Sequence, residues 1–302
     1  MSRRRLADAG MLVAFSALWA LGYSCIELAE DTIPPVTMMA LRSASAAAAL
    51  LLLCRALGRP LREARPWHPA YVIPAFLLSS FPWSLTGEGE LYIDAGLTSV
   101  MTSLTPLSTF VIGALILRTE HSRWYRVLGL AVSLVGLVMA IGLEHLAQAR
   151  VSFYGLGLVS TAFTLYGING ILLAKYGRGL DPLVTCTYAI GYGAVLLAAG
   201  AFLLEEPLAI RPRWDDLAAT GFLGVVITAG GYALYFTTVQ RAGALFASTW
   251  GYLVPAFGIV VSAVALGTPL GWSRLGGTAL VIGGVMLVNL KGRAAASIPP
   301  RS

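Results

Sequence analysis

Arg42 lies seven residues past Pro35, inside a run of small and apolar side chains that ends near Leu53. That is about 10 Å along a helix rising 1.5 Å per residue. A cation at such a depth costs about 2.5–3.5 kcal/mol on insertion scales, so it must face protein. It can pair with Glu27, Glu88 or Glu90, or it can hold the carboxylate of a small solute. Glu88 is the acid best placed to couple a proton to such an event. A second set is aromatic: Trp19 and Tyr23 (one helical face), Trp83, Tyr166, Tyr188, Tyr232 and Trp250, with Asn169 as a polar companion. All fall inside apolar runs, where a phenol or indole N–H needs a partner. Plain helix packing uses such residues, and so does a cavity with flat apolar walls. Thr98, Thr102, Thr105 and Thr109 are spaced four, three and four apart, on one helical face flanked by Ser103. A hydroxyl stripe can line a wet cavity, or it can turn back onto its own i−4 carbonyls. These residues read as substrate-binding candidates, with no catalytic group among them. No nucleophile–base pair, aspartate dyad or histidine cluster lies within the apolar runs, which argues against an enzyme. Cys25, Cys54 and Cys186 form no C-x-x-C pair, and no metal or cofactor is expected. No GxxxxGK[ST] run is present to cradle a nucleotide.

The elements that must position these groups are long and greasy. Of 302 residues, 57% are hydrophobic and 12% charged, against about 45–50% and 25% for a soluble domain. That excludes a disordered chain, a disulfide scaffold and a nucleic-acid binder. Ten runs approach the roughly 20 residues a spanning helix needs. They fall near Ala9–Ile26, Pro35–Leu53, Ala70–Leu91, Ala95–Leu117, Trp124–Ile141, Phe153–Leu173, Pro182–Leu203, Leu217–Val239, Ala244–Leu266 and Leu275–Leu290. Continuous runs exclude a membrane barrel, because lipid leaves the backbone only helical self-pairing. With the N-terminus inside, sixteen Lys/Arg fall on inner segments and four on outer ones. This bias predicts a multi-pass membrane protein with both termini cytoplasmic, and it accounts for the net charge of +6 without nucleic acid. Trp67, Trp124, Trp214 and Trp272 stand at run ends and read as interface anchors.

The chain also repeats itself. Pro106 and Pro255 each sit mid-span, followed by glycine pairs seven apart, Gly129/Gly136 and Gly277/Gly284. Spans two and seven both open on proline, Pro35 and Pro182. The repeats are expected over residues 8–141 and 153–290. Five spans is an odd number, so the second copy must be inverted, with a site between the halves at the midplane. The expected fold class is therefore all-α and polytopic: ten transmembrane helices as a 5+5 inverted-topology repeat. Pro106 and Pro255 remove helix hydrogen bonds and are hinge candidates; static kinks are the alternative. Gly230-Gly231 is a third soft point.

Pro35 with Ala40-Leu41-Arg42, Ala95-Gly96 leading to Leu104-Thr105-Pro106, Glu120, and Ala242–Pro255 with a glycine-rich last span resemble the drug/metabolite transporter superfamily. The likeness is to its EamA-type members, including bacterial exporters of aromatic and other amino acids, and it covers essentially the whole chain. It implies a ten-helix 5+5 inverted-repeat exporter of small metabolites in the bacterial inner membrane, and amino acids or similar small zwitterions are the expected cargo. Alternating access is the expected cycle; the thin supply of buried acids favours facilitated diffusion, with proton antiport through Glu88 as the alternative, and a monomer can suffice. A lipophilic-cation or drug exporter of the same superfamily is the other reading.

Overall fold

The computed structural model describes residues 3–29, 32–61, 65, 67–90, 92, 98, 101–113, 124–141, 152–257 and 272–289. Every regular element among them is helical. The elements are α1 (Arg3–Ala29), α2 (Pro35–Ala56), α3 (residues 69–90), α4 (Leu104–Val111), α5 (Trp124–Ile141), α6 (Phe153–Tyr176), α7 (Pro182–Leu204), α8 (Trp214–Ala242), α9 (Ala244–Phe257) and α10 (Trp272–Asn289). Each falls on one of the ten apolar runs. Helix starts follow local chemistry. Pro35 and Pro182 occupy first-turn positions, where the missing N–H is not needed. Asp181 accepts from Leu183 N (2.8 Å) and Val184 N (3.2 Å) ahead of α7. Between α8 and α9 the chain reverses through Gly243, whose φ of +92° a side chain would resist.

Among the described residues, five helices are long and apolar enough to cross a membrane by length and composition. Leu52, Val135, Val195, Phe202 and Met286 are all more than half exposed on helix faces, an outward apolar belt that suits lipid. Trp67, Trp124, Trp214 and Trp272 are exposed at helix ends.

The packing pairs the two halves across a pseudo-twofold axis. Helix α1 packs on α8 and α3 on α6, while α2 meets α7, α4 meets α9 and α5 meets α10. Exchanging each helix for the one five places along leaves these five pairings unchanged, as two twofold-related copies of a five-helix unit require. The tightest seam is α5 against α10. A Cβ on Gly129 would come within 2.8 Å of Gly284 O, and one on Gly136 within 2.7 Å of Gly277 O. The glycines spaced seven apart thus let two backbones touch, as small residues do between helices in lipid. Overpacking a core costs about 1–3 kcal/mol where neighbours can give, and here they are backbone. Gly284→Leu is accordingly expected to lower thermal stability in detergent by at least that much. An unchanged melting curve would contradict the seam.

Both ends of the α2–α7 pair are tied across repeats. Glu205, just after α7, accepts from Val36 N (2.9 Å), Thr37 N (2.7 Å) and Thr37 Oγ1 (2.6 Å) at the start of α2. A carboxylate there meets the positive end of the helix dipole. At the opposite end Arg59 Nη1, past α2, sits 2.9 Å from Asp181, the cap of α7. Helix α1 is tied to α8 in the same manner. Arg241 Nε meets Asp8 Oδ1 at 3.0 Å near the N-terminal end of α1, and Thr32 donates to buried Asp216 at the other end.

Candidate functional site

Helices of both repeats bring a nest of rings together at the centre. Phe15 and Trp19 come from α1, Trp83 from α3, Tyr166 from α6, Tyr232 and Tyr235 from α8, and Trp250 from α9. Trp19 lies 5.1 Å from Tyr232 and 5.9 Å from Trp250, and Tyr166 meets Trp250 edge-on at 6.1 Å. Phe15 touches Trp19, Tyr235 and Trp250 at 5.3–5.7 Å. Trp83 stacks on Tyr232 at 5.9 Å with planes 16° apart. Phe15, Trp19, Leu78, Tyr166, Tyr232, Tyr235 and Trp250 surround about 200 Å³ of non-atom space, too narrow to admit water. Small-molecule cavities run about 300–1,000 Å³, so the centre is closed.

Arg42 sits behind this nest. Its Cζ lies 4.0 Å from the Trp83 ring centroid and 5.0 Å from that of Trp19. Its Nε donates to Thr228 Oγ1 at 2.7 Å, and its Nη1 is 3.7 Å from Met39 Sδ. The aromatic faces hold the buried cation, each worth up to about 2 kcal/mol once desolvated. Glu88 is exposed at the end of α3 beside Tyr92, whose phenol its carboxylate pushes above the ordinary range. The side chains of Glu27, Glu90 and Tyr23 lie outside the described residues.

Several polar atoms around the nest lack partners among the described residues. Asn169, fully buried one turn along α6 from Tyr166, has neither amide atom hydrogen-bonded among the described residues. The Tyr235 hydroxyl lies beside its amide. The buried Tyr232 hydroxyl and Trp83 Nε1 lie beside each other, with no well-formed hydrogen bond to either among the described residues. Buried polar groups are nearly always satisfied, so a cluster of exceptions calls for an explanation.

The threonine stripe faces neighbouring helices. Thr109 Oγ1 donates to Thr105 O at 2.7 Å, the turn-back geometry, while Thr98 and Thr105 hydroxyls are buried without partners among the described residues. Ser103 is buried beside them. Thr102 Oγ1 donates to Gly251 O on α9 at 2.6 Å. Gly251 is four residues before Pro255, whose missing N–H leaves that carbonyl without its helical partner. Thr102 stands four before Pro106 in the same way, and its own carbonyl lies against Gly251, where a Cβ would be 2.5 Å away. The two proline-bearing segments therefore meet here, with Thr102 O, which accepts from Thr105 N at 3.0 Å, beside Gly251. Thr102→Val is expected to strand the Gly251 carbonyl and lower stability by about 1–3 kcal/mol, read by thermal melting. A shift below about 0.5 kcal/mol would place that carbonyl's partner elsewhere.

Tyr188 is not in the nest. It stacks on Tyr71 at 4.9 Å and donates to Leu61 O at 2.7 Å near one end of α7. Phe15 and Leu78 are nest residues that neither charge nor polarity marks in the sequence. Among the described residues no cluster of His, Cys, Asp and Glu is arranged to hold a metal. The arrangement suits reversible enclosure of a flat or apolar solute beside a buried cation and a few polar atoms.

Comparison with known proteins bears on what such an enclosure serves. The EamA-like transporter family pattern matches twice, at residues 8–142 and 153–290. The chain is 25% identical over 287 residues to the uncharacterized transporter YvbV of Bacillus subtilis, covering 94% of this chain and 92% of that one. It is 28% identical over 294 residues to a probable terminal-alkyne amino-acid exporter of Streptantibioticus cattleyicolor, covering 96% and 97%. A solved crystal structure at 18% identity superposes with a TM-score of 0.74, over 93% of this chain and 98% of that one. At that identity the superposition speaks for the fold alone.

Proposed function

The chain belongs to the EamA-like transporter family, and from that premise we propose that it exports amino acids or similar small zwitterions by alternating access. The observation that carries the reading is the closed ring nest at the junction of the two repeats, with buried Arg42 directly behind it. Arg42 meets the substrate carboxylate once Trp83 and Trp19 part. Trp19, Tyr23, Trp83, Tyr166, Tyr232 and Trp250 take its apolar body, and Asn169 and the hydroxyls of Thr98, Thr102, Ser103 and Thr105 supply polar contacts. The repeats, residues 8–141 and 153–290, move against each other about Pro106 and Pro255. Tyr188 lines the route on the side of the chain ends. Glu88, at the rim, is the coupling candidate if transport follows protons. The charge bias of the loops favours an inner-membrane location with cytoplasmic termini, and the Streptantibioticus relative's name supports an amino-acid substrate.

Purified protein in liposomes, loaded with a panel of radiolabelled amino acids, should show saturable counterflow, tested with and without a pH gradient. Absence of counterflow for every member of the panel would overturn the reading. The ring nest also favours a second one, export of a lipophilic cation, since aromatic faces attract such groups. Inhibition of counterflow by tetraphenylphosphonium, with none by amino acids, would select it.

A further inference from the structure

Helices α3 and α8 hold equivalent places in the two repeats, and each interrupts its α-helix with a π-helical stretch. These are Ala75–Ser80 in α3 and Leu223–Gly230 in α8. In each, a hydroxyl reaches back five residues. Ser80 Oγ donates to Ala75 O at 2.7 Å, and Thr228 Oγ1 donates to Leu223 O at 2.8 Å. Five is the π spacing, so each hydroxyl secures the wide turn. Each also reaches the other repeat: Ser80 Oγ lies 3.3 Å from Gly193 O of α7, and Thr228 Oγ1 accepts from Arg42 Nε of α2. The docking is matched too. Gly224 of α8 sits against Ser45 and Arg42 O, and Gly193 of α7 sits against Ser79 of α3, with no room for a Cβ at either glycine. Finally, each hydroxyl is followed within one helical turn by a ring of the central stack, Trp83 after Ser80 and Tyr232 after Thr228.

A π-turn is an α-helix carrying one residue too many, and such turns are frequent at functional sites. The surplus residue can be handed along the helix. At 3.6 residues per turn, each residue it passes is rotated by about 100°. Handing it past Trp83 or Tyr232 therefore swings that ring out of the stack. The two arms beyond the turns point to opposite faces. Counting helices from the N-terminus, α3 begins on the side of the chain ends, so its Trp83 arm, residues 81–90, leads to the far side. Helix α8 runs the other way, and its arm Gly231–Ala242 ends on the side of the chain ends, where Arg241 pairs with Asp8.

We propose that Ser80 and Thr228 are matched positioning residues. Each holds a π-turn that sets one closing ring, Thr228 controlling access from the side of the chain ends and Ser80 access from the far side. This rests on the alternating-access reading above, and the experiment separates the two. Phe15→Cys is the reporter, because it borders the closed space from α1, off both pivoting helices. It is built with Cys25, Cys54 and Cys186 replaced by serine and probed in oriented vesicles with a membrane-impermeant maleimide from either face; Tyr166→Cys, on α6, serves if the first reporter does not fold. Thr228→Val should raise labelling from the chain-end side at least fivefold and leave the far side unchanged. Ser80→Ala should do the reverse, and Thr228→Ser should restore the parent pattern. Deleting Val225, an outward-facing residue of the α8 turn, removes the surplus residue with both flanks in register. It should abolish chain-end-side labelling and counterflow in a protein that remains monodisperse. Labelling changed equally on both faces, or unchanged on both, would overturn the assignment of pivots while leaving alternating access standing. A parent reporter labelled from both faces at once would overturn alternating access, and the pivots with it.

Discussion

Arg42→Lys is expected to lower the initial rate of counterflow about a hundredfold or more. Lysine keeps the charge, so the loss isolates geometry. The guanidinium is flat, lies over the Trp83 and Trp19 rings, and gives its Nε to Thr228. An ammonium has no flat face to place against two indoles and no fork to offer a carboxylate. Hydrogen bonds to a charged group contribute about 1.5–3 kcal/mol each, and 2.8 kcal/mol is about a hundredfold in an equilibrium constant. Losing the two-pronged hold on the carboxylate reaches that. Rates from liposomes at matched protein density, with a melting curve to show that the variant folds, decide the matter. A rate within threefold of the parent would remove Arg42 from the substrate path.

Part of this architecture is legible in the sequence. Proline at Pro35 and Pro182 fixed two helix starts, and the runs of apolar residues located all ten helices. The glycines at 129, 136, 277 and 284, legible in the sequence as a repeat, carry the α5–α10 seam in the structure. Pro106 and Pro255 mark a contact between the halves, where Thr102 bonds Gly251, each four residues before its proline. Other features left no mark. A π-turn adds one residue to a helix and leaves its hydropathy unchanged, so the stretches at 75–80 and 223–230 are invisible to periodicity. In lipid a helix is apolar on every face, and amphipathicity cannot say that Phe15 and Leu78 point inward while Leu52 points out. Asp8, Asp181, Glu205 and Asp216 read as loop charges, yet all four join segments far apart in the chain. Sequence separation hides such partners, because their proximity exists only after the two halves have packed.

Trp250→Ala should raise the KM for counterflow at least tenfold and destabilise the protein, whereas Trp250→Phe should stay within threefold on KM. The indole sits at the middle of the nest, meeting Phe15 at 5.7 Å, Trp19 at 5.9 Å and Tyr166 at 6.1 Å, with planes 65° to 80° apart. Edge-to-face pairs contribute about 0.5–1.5 kcal/mol each beyond area burial, and phenylalanine retains an edge to offer. Truncating a buried tryptophan to alanine costs about 3–5 kcal/mol through lost contacts and the cavity left behind. The two readouts separate two roles. If Trp250 only packs helices, the alanine variant melts earlier but its KM holds in the surviving fraction. If it forms a wall against the substrate, KM rises even where the protein is fully folded. Retained KM at full occupancy of the folded state would show that the solute does not bind against this ring, and the site would have to lie outside the nest.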